Sequence, residues 1–183
     1  MTSAITLETD RLVLRRPCIG DVAPEAEFYA TDRSQFVGGP MSREMVWRSI
    51  ATMIGHWDMR GYGFFAVDLK DTGAYVGHVG PWYPHGWPEP EIGWTLMNGY
   101  EGKGYAHEAA MATRNWAYAP VDQGGLGWTT AISMIAPGNA RSIALAQRLG
   151  AVHDYDFTHE RYGDCGVWRH PSPTDVRDMS NVA

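Results

Sequence analysis

Residues 100–110, Tyr-Glu-Gly-Lys-Gly-Tyr-Ala-His-Glu-Ala-Ala, constrain the fold more than any other stretch of the chain. Two glycines one residue apart run straight into an alanine-rich segment. Ahead of them, Glu91-Ile92-Gly93-Trp94-Thr95-Leu96 alternates and is rich in β-favouring residues, which predicts a strand. Strand, glycine turn and helix start, in that order, leave several backbone N–H groups without intrahelical partners and aimed at one point. Together with the positive end of the helix dipole they make an anion site, suited to a phosphate or a diphosphate. Glycine serves there because a Cβ would block close approach and because a positive φ is open to it.

Spacing separates this turn from other glycine motifs. A dinucleotide fingerprint needs a third glycine or alanine three residues past the closely spaced pair, and His107 stands there. A P-loop needs Gly-Lys followed by a hydroxyl residue, whereas Lys103 is followed by Gly104. A turn that merely joins strand to helix remains open on this segment alone.

A second segment sharpens the reading: Asn139-Ala140-Arg141-Ser142-Ile143-Ala144-Leu145-Ala146-Gln147-Arg148-Leu149-Gly150-Ala151. Pro137-Gly138-Asn139 reads as loop and N-cap, and Gly150 as a helix stop. Glu-Gly-Lys-Gly-Tyr-Ala, then helix, strand and Asn-x-x-Ser-x-x-Leu-x-x-x-Leu-Gly-Ala, resembles the GNAT superfamily of acyl-CoA-dependent N-acetyltransferases. Leu7-Glu8-Thr9-Asp10-Arg11-Leu12-Val13-Leu14-Arg15 and Pro90-Glu91-Ile92-Gly93-Trp94 resemble its ribosomal-protein N-terminal acetyltransferase branch. The likeness spans roughly the first 170 residues. It implies a mixed α/β (α+β) fold: a splayed sheet of about seven strands flanked by four helices, ordered β-α-α-β-β-β-α-β-α-β-β.

The chain has 183 residues, enough for one domain with its own core, expected over residues 1–172 with a polar tail at 173–183. A hydrophobic fraction of 44% with 20% charged residues is that of a globular chain. Net charge −6 argues against a nucleic-acid surface. Cys18 and Cys165 sit in no metal-ligand or redox spacing, so no metal is expected and reduced thiols in a cytoplasm are the simplest reading. No apolar stretch approaches the ~18 residues of a membrane helix, and no charged-then-apolar leader opens the chain.

In chain order, residues 5–15 alternate as one strand and Asp21 caps a helix running to about Ala30. Residues 36–40 read as loop. Ser42 leads the cleanest helical stripe (Met45, Val46, Ile50, Met53, Ile54, Trp57), a core face. Residues 64–70 and 74–80 flank a hairpin turn at Asp71-Thr72-Gly73. Residues 81–90 are too proline-rich for regular structure and too aromatic for a linker; they line a pocket or cap the sheet edge. After the strand at 91–96 come a helix from Tyr105 to about Ala119, a strand at 128–135, the Asn139 helix, and strands at 152–158 and 165–169. A parallel pairing is expected where the 105–119 helix joins two strands.

The resemblance implies acetyl-CoA as cosubstrate and a small-molecule or peptide amine as acceptor. Backbone N–H groups of Gly102, Lys103, Gly104, Tyr105, Ala106 and His107 would hold its diphosphate. The backbone around Leu96 and Met97 would pair with the pantetheine arm as an added strand, provided the strands at 91–96 and 128–135 splay. Asn139 has two readings, contact with the arm and helix cap. Where the family places glutamine or arginine at the head of the loop stands Glu101, a carboxylate that repels a diphosphate unless it points to solvent.

Glu91 shares a strand face with Gly93 and Thr95, where the family often has a carboxylate; it reads as general base or as a structural carboxylate. Many relatives supply a tyrosine from the second of these helices to protonate the departing thiolate, and Ala146 occupies that position. Ser142 matches the hydroxyl of the ribosomal-protein branch; it serves that role or bonds a carbonyl one turn back. Tyr105, Tyr162, His78 and His159 are reserves. The leading function is acetyl transfer to a primary amine in a ternary complex, by a monomer or homodimer, with no nucleic-acid or membrane partner. A non-catalytic acyl-CoA-binding module is the alternative, and a dinucleotide enzyme is disfavoured by the glycine spacing.

Overall fold

The computed structural model describes residues 5–180, with side chains to residue 176. Strands β1 (Leu7–Glu8), β2 (Leu12–Arg15), β3 (Phe65–Leu69), β4 (Tyr75–Trp82), β5 (Glu91–Leu96), β6 (Ile132–Ile135), β7 (Val152–His159) and β8 (Gly163–Arg169) form one sheet. Their order is β1-β2-β3-β4-β5-β6-β8-β7, and every neighbouring pair is antiparallel except β5 with β6. The helices are α1 (Val22–Tyr29), α2 (Arg43–Arg60), α3 (Tyr105–Tyr118), α4 (Ala140–Arg148) and α5 (Pro173–Ser180). Alternation along β5 decides what each face holds. Ile92 and Trp94 turn toward α3 and α4, where Ala109, Ala110, Leu145 and Leu149 are buried with them. Glu91, Gly93 and Thr95 turn toward α1 and α2, on the side where Phe28, Tyr29 and Val46 cover Met97.

The mixed α/β class and element order follow the expectation; among the described residues the counts shift to eight strands and five α-helices. Residues 5–15 are two strands, because Thr9–Leu12 closes into a turn (Thr9 N to Leu12 O, 3.0 Å). Glu108, at the start of α3, pins that turn by accepting from the Thr9 hydroxyl (2.6 Å) and the Arg11 N–H (3.0 Å). The strand expected from Trp128 begins only at Ile132, since the Trp128 N–H is taken by Ala117 O (2.9 Å). β4 runs on through Pro81 to Trp82, two residues into the segment expected to be irregular. The polar tail carries α5, entered through Ser172 and Asp175, whose carboxylate accepts from the Ser172 N–H (3.1 Å) while Asp175 N–H donates to Ser172 Oγ (3.3 Å).

What positions the site is the wedge between β5 and β6. They share one register pair, Glu91 with Ile132. Beyond it side chains replace the ladder: Ser133 Oγ donates to Ile92 O (2.6 Å), and Glu91 accepts the Met134 N–H (3.0 Å). With the Ser133 proton spent on Ile92, its oxygen accepts from His170 Nε2 (3.0 Å), and His170 Nδ1 accepts from Arg114 (3.3 Å). Burial, reinforced by the Arg114 charge, pushes this histidine down to about 3 and keeps it neutral.

Candidate functional site

The loop between β5 and α3 is built on positive-φ glycines: Gly99 (+86°), Gly102 (+72°) and Gly104 (+84°). A Cβ at Gly102 would meet nothing within 4 Å, and at Gly104 only the end of Arg11 at 3.3 Å. No protein atom bars a Cβ at either position, so within the fold it is the backbone handedness that calls for glycine. Gly104 is the N-cap of α3 and has no side chain with which to cap it; the first helical bond runs from Glu108 N–H to Gly104 O (3.0 Å). The N–H groups of Tyr105, Ala106 and His107 thus stand at a helix N-terminus with no carbonyl one turn back to receive them.

Cations gather around this loop although the chain as a whole carries −6. Arg11 donates to Lys103 O (3.0 Å), lies over the Tyr105 ring (4.7 Å) and pairs with Glu108 (2.6 Å). Lys103 sits over the Tyr100 ring (5.4 Å). Glu101 does not turn to free solvent: Arg33 pairs with it at 2.8 Å, and Arg141 approaches to 3.8 Å. Partial burial opposes its ionisation, but its own and the Gly99 amides, with Arg33 and Arg141, outweigh this and hold the carboxyl below its ordinary range. Arg11, Arg33, Lys103 and Arg141 against Glu101 and Glu108 leave the neighbourhood net positive, which suits a polyanion.

The wedge exposes one edge of β5. The Ile92 carbonyl faces β6, so by antiparallel alternation the backbone groups of Trp94 and Leu96 face the same way. Met97 departs from the expectation. Its N–H turns to Val76 O (3.0 Å) and its carbonyl accepts from Tyr100 (3.4 Å), so Trp94 and Leu96 offer the free edge.

Glu91 is 7% exposed. Its carboxylate accepts the Trp87 indole N–H and the Met134 N–H, and no cation pairs with it among the described residues. Burial outweighs these two bonds and pushes the carboxyl up to about 7. Phe64 lies over Gly93, and Trp87 contacts Trp82 (6.4 Å), His159 (4.6 Å) and Tyr162 (5.7 Å). The aromatic segment after β4 thus both packs and walls the carboxylate.

Ser142 lies on the opposite face of β5 from Glu91, in the first turn of α4. Its Oγ accepts from the Trp94 indole (3.2 Å), and among the described residues none accepts its hydroxyl proton. Asn139 caps α4, its Oδ1 accepting the Ser142 N–H (3.2 Å), which leaves its NH2 available. Ala146 is fully buried against Ile135 and Ala151, so a tyrosine there would have to displace core. Of the reserves, Tyr105 lies under Arg11, and His159 Nδ1 accepts the N–H of Arg161 (3.0 Å) within the β7–β8 turn. His78 Nδ1 bonds Glu25 (2.7 Å), which also accepts from Tyr75. Glu25 and Arg33 went unnoticed in the sequence, where each looks like an ordinary solvated charge. Trp87, read only as part of the aromatic loop, is the direct partner of Glu91. Among the described residues, no group of three or more His, Cys, Asp or Glu could hold a metal ion, and no helix is long and apolar enough to cross a membrane.

Comparison with known proteins adds the family. A model described as "Acetyltransferase (GNAT) domain" matches residues 11–152. The crystal structure of an acetyltransferase from Agrobacterium tumefaciens strain C58 is 35% identical, with TM-score 0.82 over 93% of this chain and 96% of that one. The fold extends to a ribosomal L7/L12 alpha-N-protein acetyltransferase solved with coenzyme A, at 16% identity and TM-score 0.70, covering 91% of this chain and 97% of that one. Among curated sequences, the uncharacterized protein YkkB of Bacillus subtilis (strain 168) is 30% identical over 102 residues. That match takes in 52% of this chain and only 56% of YkkB.

Proposed function

The chain belongs to the GNAT acetyltransferases, and from that premise we propose that it acetylates a primary amine carried by a protein or peptide N-terminus, an amino acid or a small molecule. One observation carries the reading: the positively surrounded amide loop at the start of α3 opens beside the free edge of β5. Acetyl-CoA supplies an acetyl group activated as a thioester; the rest falls to residues of this chain. The N–H groups of Gly102, Lys103, Gly104, Tyr105, Ala106 and His107 hold the diphosphate. The backbones of Trp94 and Leu96, with the Asn139 NH2, align the arm.

Glu91 takes the proton from the acceptor amine. A carboxyl near 7 is matched to this task at neutral pH, where an α-amine of pKa ~7.7–8 is already partly neutral and a lysine-type amine of ~10.4 is not. That match favours an α-amino acceptor, as does the fold shared with an alpha-N-protein acetyltransferase. Ser142, with its proton uncommitted, is the donor to the departing thiolate, on the other face of the wedge. Trp87 and Met134 orient Glu91, and Trp82, Trp87 and Tyr162 exclude water from it.

A panel of amines and N-terminal peptides, scored by thiol release from acetyl-CoA, tests this. Release with α-amines and little with lysine-type amines at pH 7 is expected. Tight coenzyme A binding with no release on any amine would favour the non-catalytic module instead.

A further inference from the structure

Glu101 is the residue of the loop whose charge has the wrong sign for a diphosphate. We propose that it is a positioning residue, holding the Arg33 and Arg141 guanidiniums at the mouth of the amide loop so that Arg141 meets a phosphate oxygen of coenzyme A. This rests on the cofactor reading above. Arg33 is already fixed: it pairs with Glu101 at 2.8 Å, bonds Asn98 Oδ1 and lies over the Phe28 ring at 5.4 Å. Arg141 is different. Its Nη1 is 3.8 Å from the same Glu101 oxygen, its side chain is 79% exposed, and no other partner engages it among the described residues.

Two physical points argue that this arrangement serves a ligand and not the fold. An exposed ion pair at such a distance contributes little stability. Arg141 also occupies the first turn of α4, which has no acidic residue, so its charge opposes the helix dipole. A cation set there and loosely tethered by a carboxylate keeps its donors aimed at the loop. Holding a long side chain near its bound position lowers the ordering cost when an anion arrives.

The test is calorimetric affinity for coenzyme A, 3′-dephospho-coenzyme A and pantetheine in wild type, Glu101→Gln and Arg141→Gln. Arg141→Gln is expected to raise the coenzyme A Kd about five- to tenfold at low salt, with a smaller penalty at high salt. Glu101→Gln is expected to raise it as well, although removing a merely repulsive carboxylate would lower it; the sign of that change decides. A penalty that persists with the dephospho compound identifies the diphosphate as the partner, and one that disappears identifies the 3′-phosphate, either supporting the proposal. An unchanged or lowered Kd for Glu101→Gln, or equal losses with pantetheine, overturns it. Wild-type protein that binds no coenzyme A removes the cofactor reading and this proposal together; wild-type binding with unaffected variants removes this proposal alone.

Discussion

Replacing Glu91 by glutamine is expected to lower turnover at pH 7 by about 10²–10⁴-fold, the usual worth of general acid–base help, and by less at pH 9. Glutamine keeps the size and an acceptor for Trp87 or Met134, but it cannot take a proton. At pH 9 an α-amine is already neutral, so the base matters less. The wild-type rate should also rise with pH through about 7, and the variant should lose that limb. Stability gives an independent readout. Because burial raises the folded-state pKa above the ordinary 4.5, the Glu91 contribution is fully present below pH 4.5 and is lost as pH climbs through about 7. The stability of the variant relative to wild type should therefore improve by about 3 kcal/mol between pH 4 and pH 8. Denaturant melts at the two pH values check this, and equal turnover losses at pH 7 and pH 9 would remove the base role.

Gly104→Ala should cost more than tenfold in coenzyme A affinity while costing about 1–2 kcal/mol of stability, the strain of an alanine in the left-handed region. The residue has φ +84° and begins α3, so relief of that strain rotates the amides that follow it. Gly73→Ala is the control. Gly73 also has positive φ (+69°) with nothing within 4 Å of a Cβ, but it turns the β3–β4 hairpin and is no part of the loop. It should lose similar stability and no affinity. Equal affinity losses in both variants would mean that the effect is general destabilisation.

How much of this was legible follows from how local each cause is. The strand at 91–96, the start of α3 and the Asn139 cap are written in adjacent residues, and the structure has them where alternation and capping chemistry predict. The split of the first strand was not legible, because the carboxylate that fixes its turn, Glu108, lies 97 residues from Arg11. The same holds for Glu101 and its Arg33 partner, which only the folded chain brings together. Met97 failed for a subtler reason. Sequence says which residues are near a strand end but not which edge each amide faces, and the Val76 carbonyl claims this one. The α5 start was readable, since Ser172-Pro173-Thr174-Asp175 is a capping box with proline at the first helical position, yet the polar composition hid it.

The proposed function rests on the amides that open α3 gripping the diphosphate of coenzyme A. Titration of coenzyme A into isotopically labelled protein, followed by backbone amide resonances, tests it most directly. Saturable shifts are expected, concentrated at Gly102, Lys103, Gly104, Tyr105, Ala106 and His107, with smaller ones at Trp94 and Leu96. Saturable binding that leaves those six amides unmoved, or no binding at millimolar ligand, would contradict it.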